Sequence, residues 1–214
     1  MTDVAKNLMS LFFAQTSLKK NRFGKPDQEV RTVGVLGAGL MGAGIGLVSV
    51  LKGHRVLLKD VSLEGVGRGK KQIYTELNKR ARRRAITNFE RDTLMSNVVG
   101  QTDYAGFENA DLVIEAVFED LELKHRILAD VEKHAREDVI FASNTSTLPI
   151  GRIAEAAKRP ENVIGMHYFS PVHKMPLLEI IRTNKTSDEV VKRCVAEGKK
   201  QGKTVIVVND GVGF

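Results

Sequence analysis

The sequence predicts an α/β fold, a doubly wound, mostly parallel sheet with an antiparallel strand pair near the carboxyl terminus. Three observations carry that expectation. From Val30 onward, short apolar runs alternate with longer helical segments, and alternating strands and helices on short connections build a parallel sheet covered on both faces. The stretch "VGVLGAGLMGAG", residues 33–44, is an apolar strand that breaks at glycines and turns into a helix. Near residues 162–183, two apolar strands are joined by "SPVHKMP", which is too short for a parallel crossover.

The elements follow in order. Residues 2–20 read as an amphipathic helix with Val4, Leu8, Leu11, Phe12 and Leu18 roughly on one side, and the polar "KKNRFGKPDQE" after it reads as a loop and boundary. Residues 1–29 are therefore expected to form a linker helix and loop, and 30–214 the main domain. Within that domain the expected order is strand 31–36, helix 40–52, strand 54–59, helices 62–84 and 88–97, strand 111–117, helix 120–135 and strand 139–142. The antiparallel pair, 162–168 and 177–183, is followed by helix 187–201 and strand 204–208. With 214 residues, 42% of them hydrophobic, the chain can bury a substantial core.

Composition narrows the function classes. The longest apolar runs are full of glycine and soon interrupted by charge, so no membrane span is expected. Asp3 stands where a secretory signal carries basic residues. Cys194 is the single cysteine, which excludes a disulfide framework and a thiolate metal site. The formal charge of +7 is concentrated in Arg68, Lys70, Lys71, Lys79, Arg80, Arg82, Arg83 and Arg84, within one helical segment. An anionic partner and a solvated helix face both account for this cluster. Nucleic acid is not expected, because neither a helix-turn-helix nor an aromatic-studded sheet accompanies the charge.

In the glycine stretch, Gly37 permits a tight turn, Gly39 lets the backbone approach a pyrophosphate and Gly42 lets the helix pack closely on the strand. Leu40 and Met41 open the helix whose free N–H groups would face the phosphates. This is a Rossmann-type dinucleotide signature. Asp60 ends the second strand eighteen positions after Gly42, where a carboxylate accepts ribose hydroxyls and repels a 2′-phosphate. The expected cofactor is NAD rather than NADP, with Lys59 and Arg55 as nearby positive charges.

An alcohol that loses hydride must also lose its hydroxyl proton, and a histidine backed by a carboxylate suits that task. His167 lies at the end of one strand and Glu179 twelve positions on in the next, so a hairpin can place them side by side. His173 falls inside the turn and reads as a turn residue. Two readings stay open on these residues alone: a dehydrogenase for small hydroxy acids, and a non-catalytic NAD-binding assembly domain.

Together "VGVLGAGLMGAGI", "LVIEAVFEDLELKHRIL", "FASNTSTLPI", "VIGMHYFSPVHKMPLLEII" and "VNDGVGF" resemble the L-3-hydroxyacyl-CoA dehydrogenases of fatty-acid β-oxidation, over nearly the whole chain. "SLKKNRFGKP" and "MHYFSP" are more similar to the α-subunit of the mitochondrial trifunctional enzyme than to the short enzymes, whose "HFFNP" has asparagine where Ser170 stands. The resemblance implies NAD-dependent oxidation of 3-hydroxyacyl-CoA, with His167 as base, Glu179 as its partner and Ser146 bonding the reacting oxygen. Ser146 also fits a helix N-cap ahead of "TLPIGRIAEAA". Glu119 and Lys124 match positions that touch the cofactor, against an ordinary first-turn acid and a solvated lysine. Arg82 and Arg83 become candidates for the coenzyme A phosphates. The resemblance further implies an upstream enoyl-CoA hydratase domain, a thiolase subunit as partner and a mitochondrial matrix location. It also implies a helical domain beyond Phe214 and weak or absent turnover without it; Val212 stands where the family usually has proline.

Overall fold

Short runs of valine, isoleucine and leucine build the sheet. A computed structural model describes residues 1–19 and 23–211 of the chain. Helix α1 (Asp3–Lys19) precedes strand β1 (Thr32–Leu36), α2 (Leu40–Val50), β2 (Arg55–Lys59), α3 (Leu63–Arg82), α4 (Asn88–Ser96) and β3 (Val98–Gln101). Then come β4 (Leu112–Glu115), α5 (Leu121–His134), β5 (Ile140–Ser143), α6 (Ile150–Ala154), β6 (Val163–Tyr168), β7 (Leu177–Arg182), α7 (Asp188–Lys200) and β8 (Thr204–Asn209). The expected linker residues 20–22 and the terminal residues 212–214, Val212 among them, lie outside the described residues.

Among the described residues, eight strands form one sheet in the order β3-β2-β1-β4-β5-β6-β7-β8. Pairing is parallel from β3 to β6, antiparallel between β6 and β7, and parallel again between β7 and β8. Every residue of β4 and β5 is buried, as expected for strands covered on both faces. Adjacent side chains on a strand enter opposite layers. Val33, Val35, Leu58, Ile114 and Ile164 join one cluster with Ile45 of α2, Ile73 of α3 and Val191 of α7. Leu57, Val113, Phe141 and Ile181 join the other with Leu128 of α5 and Ile153 of α6.

The expected elements are present, with ends shifted by a few residues at most. Helix α3 stops at Arg82 instead of residue 84, and Arg84 takes a left-handed φ of 58° that ends the helical path. Four elements were not anticipated: single 3₁₀ turns at Phe107–Asn109 and Pro160–Asn162, strand β3 and helix α6. Strand β3, "VVGQ", follows α4 without an intervening turn signal, and its pairing with β2 comes from tertiary contact. Helix α6 is only five residues long and begins after Pro149, so Ser146 is not its N-cap. Helix α1 forms where expected, with Val4, Leu8, Leu11 and Phe12 all exposed. The loop after it is tied to the domain: Asp27 donates its N–H to Glu189 Oε1 over 2.8 Å, and Arg31 and Thr32 donate theirs to Asp111 Oδ2.

Gly42 is held by sterics alone. A β-carbon there would lie 1.7 Å from the carbonyl oxygen of Gly37, whereas one at Gly39 would meet nothing within 4 Å. Gly42→Ala is therefore expected to destabilise the fold by about 1–3 kcal/mol, the usual cost of forcing an extra carbon into a packed site. Gly39→Ala should leave the denaturant midpoint nearly unchanged. Urea unfolding of the two variants separates these outcomes.

Candidate active site

The parallel strands β1, β2, β4, β5 and β6 all end at the same edge of the sheet, and that edge collects the candidate residues. After β1 the chain turns through Gly37, whose φ of 94° is left-handed and costs glycine little. A side chain there would also strike the carbonyl of Ala116, 2.6 Å from the β-carbon position. Helices α3, α4, α5 and α7 each begin with a side chain, Ser62, Thr87, Asp120 or Ser187, that accepts a backbone N–H. Helix α2 has no side-chain cap. Its first N–H groups, at Leu40 and Met41, lie beside the open space over Gly39, a surface shaped for an anionic pyrophosphate.

Asp60 follows β2 and does more than the sequence indicated. Its Oδ2 accepts the N–H of Ala38 at 2.7 Å and its Oδ1 that of Val61 at 2.8 Å, so the acid braces the glycine turn. A carboxylate has about four acceptor positions, which leaves capacity for ribose hydroxyls. Gly65 of α3 sits against it: a β-carbon there would lie 2.6 Å from Oδ1.

His167 and Glu179 face each other directly in the antiparallel ladder of β6 and β7. The Nδ1–H of His167 donates to Glu179 Oε2 over 2.8 Å, and both side chains are partly buried. The Phe169 ring packs against the imidazole, centroids 4.5 Å apart. A proton held at Nδ1 makes Nε2 the basic nitrogen. Two bonds fix the neighbouring Tyr168. Its N–H donates to Asn144 Oδ1 at 2.8 Å, and its hydroxyl donates to Gln201 Oε1 at 2.8 Å.

Ser146, Glu119 and Lys124 form one network. Glu119 Oε1 accepts the Ser146 N–H at 3.0 Å and the hydroxyls of Thr145 and Thr147, and its Oε2 lies 3.1 Å from Lys124 Nζ. Lys124 is 1% exposed, so it is not a solvated helix lysine; it also donates to Glu115 Oε1 at 2.7 Å. Glu115 is fully buried and takes the Ser143 hydroxyl on its other oxygen. The sequence reading missed both Glu115 and Asn144. The signal for Glu115 was present, a carboxylate inside the otherwise apolar strand "LVIE". For Asn144 the only signal was its place in "SNTS" beside Ser146.

Arg82 and Arg83 are exposed at the end of α3, and the structure brings them into no contact with the histidine pair. Further up α3, Glu76 Oε2 lies 3.5 Å from His173 Nε2, so the β6–β7 turn rests on the basic helix. Cavities of about 510 and 560 Å³ lie around residues 24–32, and none of these candidates lines them.

A family model described as "3-hydroxyacyl-CoA dehydrogenase, NAD binding domain" matches residues 32–211. The chain belongs to that family. NAD is the cofactor of this domain, and the uncapped start of α2, the space over Gly39 and the spare acceptor positions of Asp60 fit it. Fatty acid oxidation complex α-subunits from Shewanella frigidimarina and Vibrio vulnificus are each 50% identical to it over 217 residues, covering all of this chain. The chain spans 31% of the length of either relative. A 3-hydroxybutyryl-CoA dehydrogenase from Escherichia coli superposes with a TM-score of 0.84 at 35% identity, over 87% of this chain and 40% of its own. These relatives are bacterial. Bacteria have no mitochondria, so the expected mitochondrial matrix location is overturned. Among the described residues, no helix is long and apolar enough to cross a membrane.

Burial by itself would raise the Glu119 carboxyl, but hydrogen bonding from Thr145, the Lys124 charge and the Ser146 N–H outweigh it and hold the group at about 2, against 4.5 ordinarily. The unfolded chain takes up this proton first as pH falls. The stabilisation is thus complete above pH 4.5 and is lost as pH drops toward 2. Urea midpoints of the native protein and Glu119→Gln, measured from about pH 6 to pH 2, should converge with acidification. Parallel curves would show that Glu119 is not held in this way.

Proposed function

We propose that the complete protein containing this domain oxidises (S)-3-hydroxyacyl-CoA to 3-ketoacyl-CoA in fatty-acid β-oxidation. The observation that carries the reading is the His167–Glu179 pair, set in register across β6 and β7 at the edge that also carries the glycine turn. NAD, when bound there, supplies the hydride acceptor. His167 takes the hydroxyl proton at Nε2, while Glu179, bonded at Nδ1, orients the ring and stabilises the imidazolium that forms. Ser146 bonds the reacting oxygen, on a turn that Glu119 holds through the Ser146 N–H. Glu119 reaches the cofactor from that turn, and Lys124 fixes the Glu119 carboxylate from below.

The exposed positive end of α3 supports Arg82 and Arg83 as contacts for the coenzyme A phosphates. The relatives' description as fatty acid oxidation complex α-subunits, and their greater length, support an upstream hydratase domain and a thiolase partner. Helix α1 then serves as the linker from that domain, and its exposed apolar side chains as the surface meeting it.

His167→Gln in the full-length protein should lower kcat roughly 10²–10⁴-fold, the range for loss of a positioned base, while the NADH dissociation constant stays within about twofold. Steady-state kinetics paired with a cofactor titration measures both. Undiminished turnover would remove His167 from the chemistry and favour a non-catalytic NAD-binding role for the domain.

A further inference from the structure

We propose that Tyr104 makes the cofactor site selective against the 2′-phosphorylated nucleotide, by holding the ammonium of Lys59 away from Asp60. The inference rests on the NAD site described above and concerns which nucleotide that site refuses.

Lys59 is the last residue of β2, and Asp60 follows it directly. A lysine there is a hazard for selectivity, because its four-carbon stem allows the ammonium to swing round the strand end and neutralise a 2′-phosphate beside the carboxylate. The structure engages that ammonium elsewhere. Lys59 Nζ lies 4.6 Å from the centroid of the Tyr104 ring, a cation–π contact.

Tyr104 is itself well anchored. His134, at the end of α5, stacks on it with centroids 4.9 Å apart and planes 6° from parallel, and Phe107 meets it edge to face at 5.2 Å. The other basic residues nearby do not replace Lys59. Arg55 begins the same strand and sits at its opposite end. Arg68, on the first turns of α3, is bonded to Glu64 Oε1. Asp60 stays in place, because Ala38 and Val61 both donate to it. The repulsive charge is therefore kept at the ribose while the neighbouring attractive charge is withdrawn, and a phosphate at that position meets only the former.

The test is to titrate NADH and NADPH by cofactor fluorescence, which the absence of tryptophan favours. The native protein is expected to bind NADH far more tightly than NADPH. Tyr104→Leu should improve NADPH binding relative to NADH by roughly three- to tenfold, in keeping with one released cation. Tyr104→Phe, which keeps the ring, should preserve the native ratio. Adding Lys59→Met to Tyr104→Leu should abolish the gain.

A folded Tyr104→Leu variant with the native ratio overturns the proposal, and so does a gain that survives Lys59→Met. Should Tyr104→Leu fail to fold, Lys59→Met alone decides. An unchanged ratio shows that Lys59 does not reach the nucleotide; weakened NADPH binding shows that it already does, against the proposal. Failure of the native protein to bind NADH would sink the cofactor site itself, a result distinct from NADH binding with an unaltered ratio.

Discussion

A buried ammonium holds the candidate active-site edge of this domain together. Lys124 bridges Glu115, at the end of β4, and Glu119, just before α5, with almost no exposure to water. Through those two carboxylates it reaches Ser143, at the end of β5, and the backbone of Ser146 in the following turn. An interior charge is tolerated only when paired, and removing one partner of such a pair costs about 3–5 kcal/mol. The ends of two central strands and the turn that presents Ser146 are thus held by a single charge, and none of them can shift without exposing or orphaning it.

Sheet topology explains why the candidate residues gather at this edge. The order 3-2-1-4-5-6 places β1 beside β4, and the chain leaves β1 and β4 in opposite directions across the sheet. Loops diverge at that point and leave a crevice beyond the strand ends, bordered by Gly37 and Ala116. The reversal at β7 adds a second element. Because β7 runs back against β6, a residue early in β7 lies opposite one late in β6, and Glu179 meets His167 at the same edge. A further parallel strand would have set the carboxylate elsewhere.

Hydrogen bonds on β6 give the histidine its rigidity. Asn144 receives the Tyr168 N–H from the side of β5, and Gln201, which caps the end of α7, receives the Tyr168 hydroxyl from the layer beneath. Gln201 also donates to Ser49 of α2 and to Glu197, so the residue after His167 is bonded into a buried polar cluster between two helices. Burial of Tyr168 together with the Glu197 charge pushes its phenol well above the usual range, so the hydroxyl remains a donor. Such a network, once satisfied, favours one arrangement of the strand end.

Much of this was legible in the sequence, because the decisive signals are local. Apolar runs, glycine spacing and capping residues act over a few positions, so the strands, the helices and the Gly37–Gly42 turn could be read directly. The short loop between β6 and β7 was enough to imply an antiparallel pair and the His167–Glu179 contact. The short element β3 was not readable, since four residues carry too little pattern and edge pairing with β2 decides them. Nor was the burial of Lys124, or the bracing of the glycine turn by Asp60. A lysine on a helix has the same local signature whether its ammonium meets water or two carboxylates. The sequence determined the order of most elements and singled out the candidate groups at the strand ends. Only the tertiary structure decided which charges would be enclosed together, because that depends on which strand ends become neighbours.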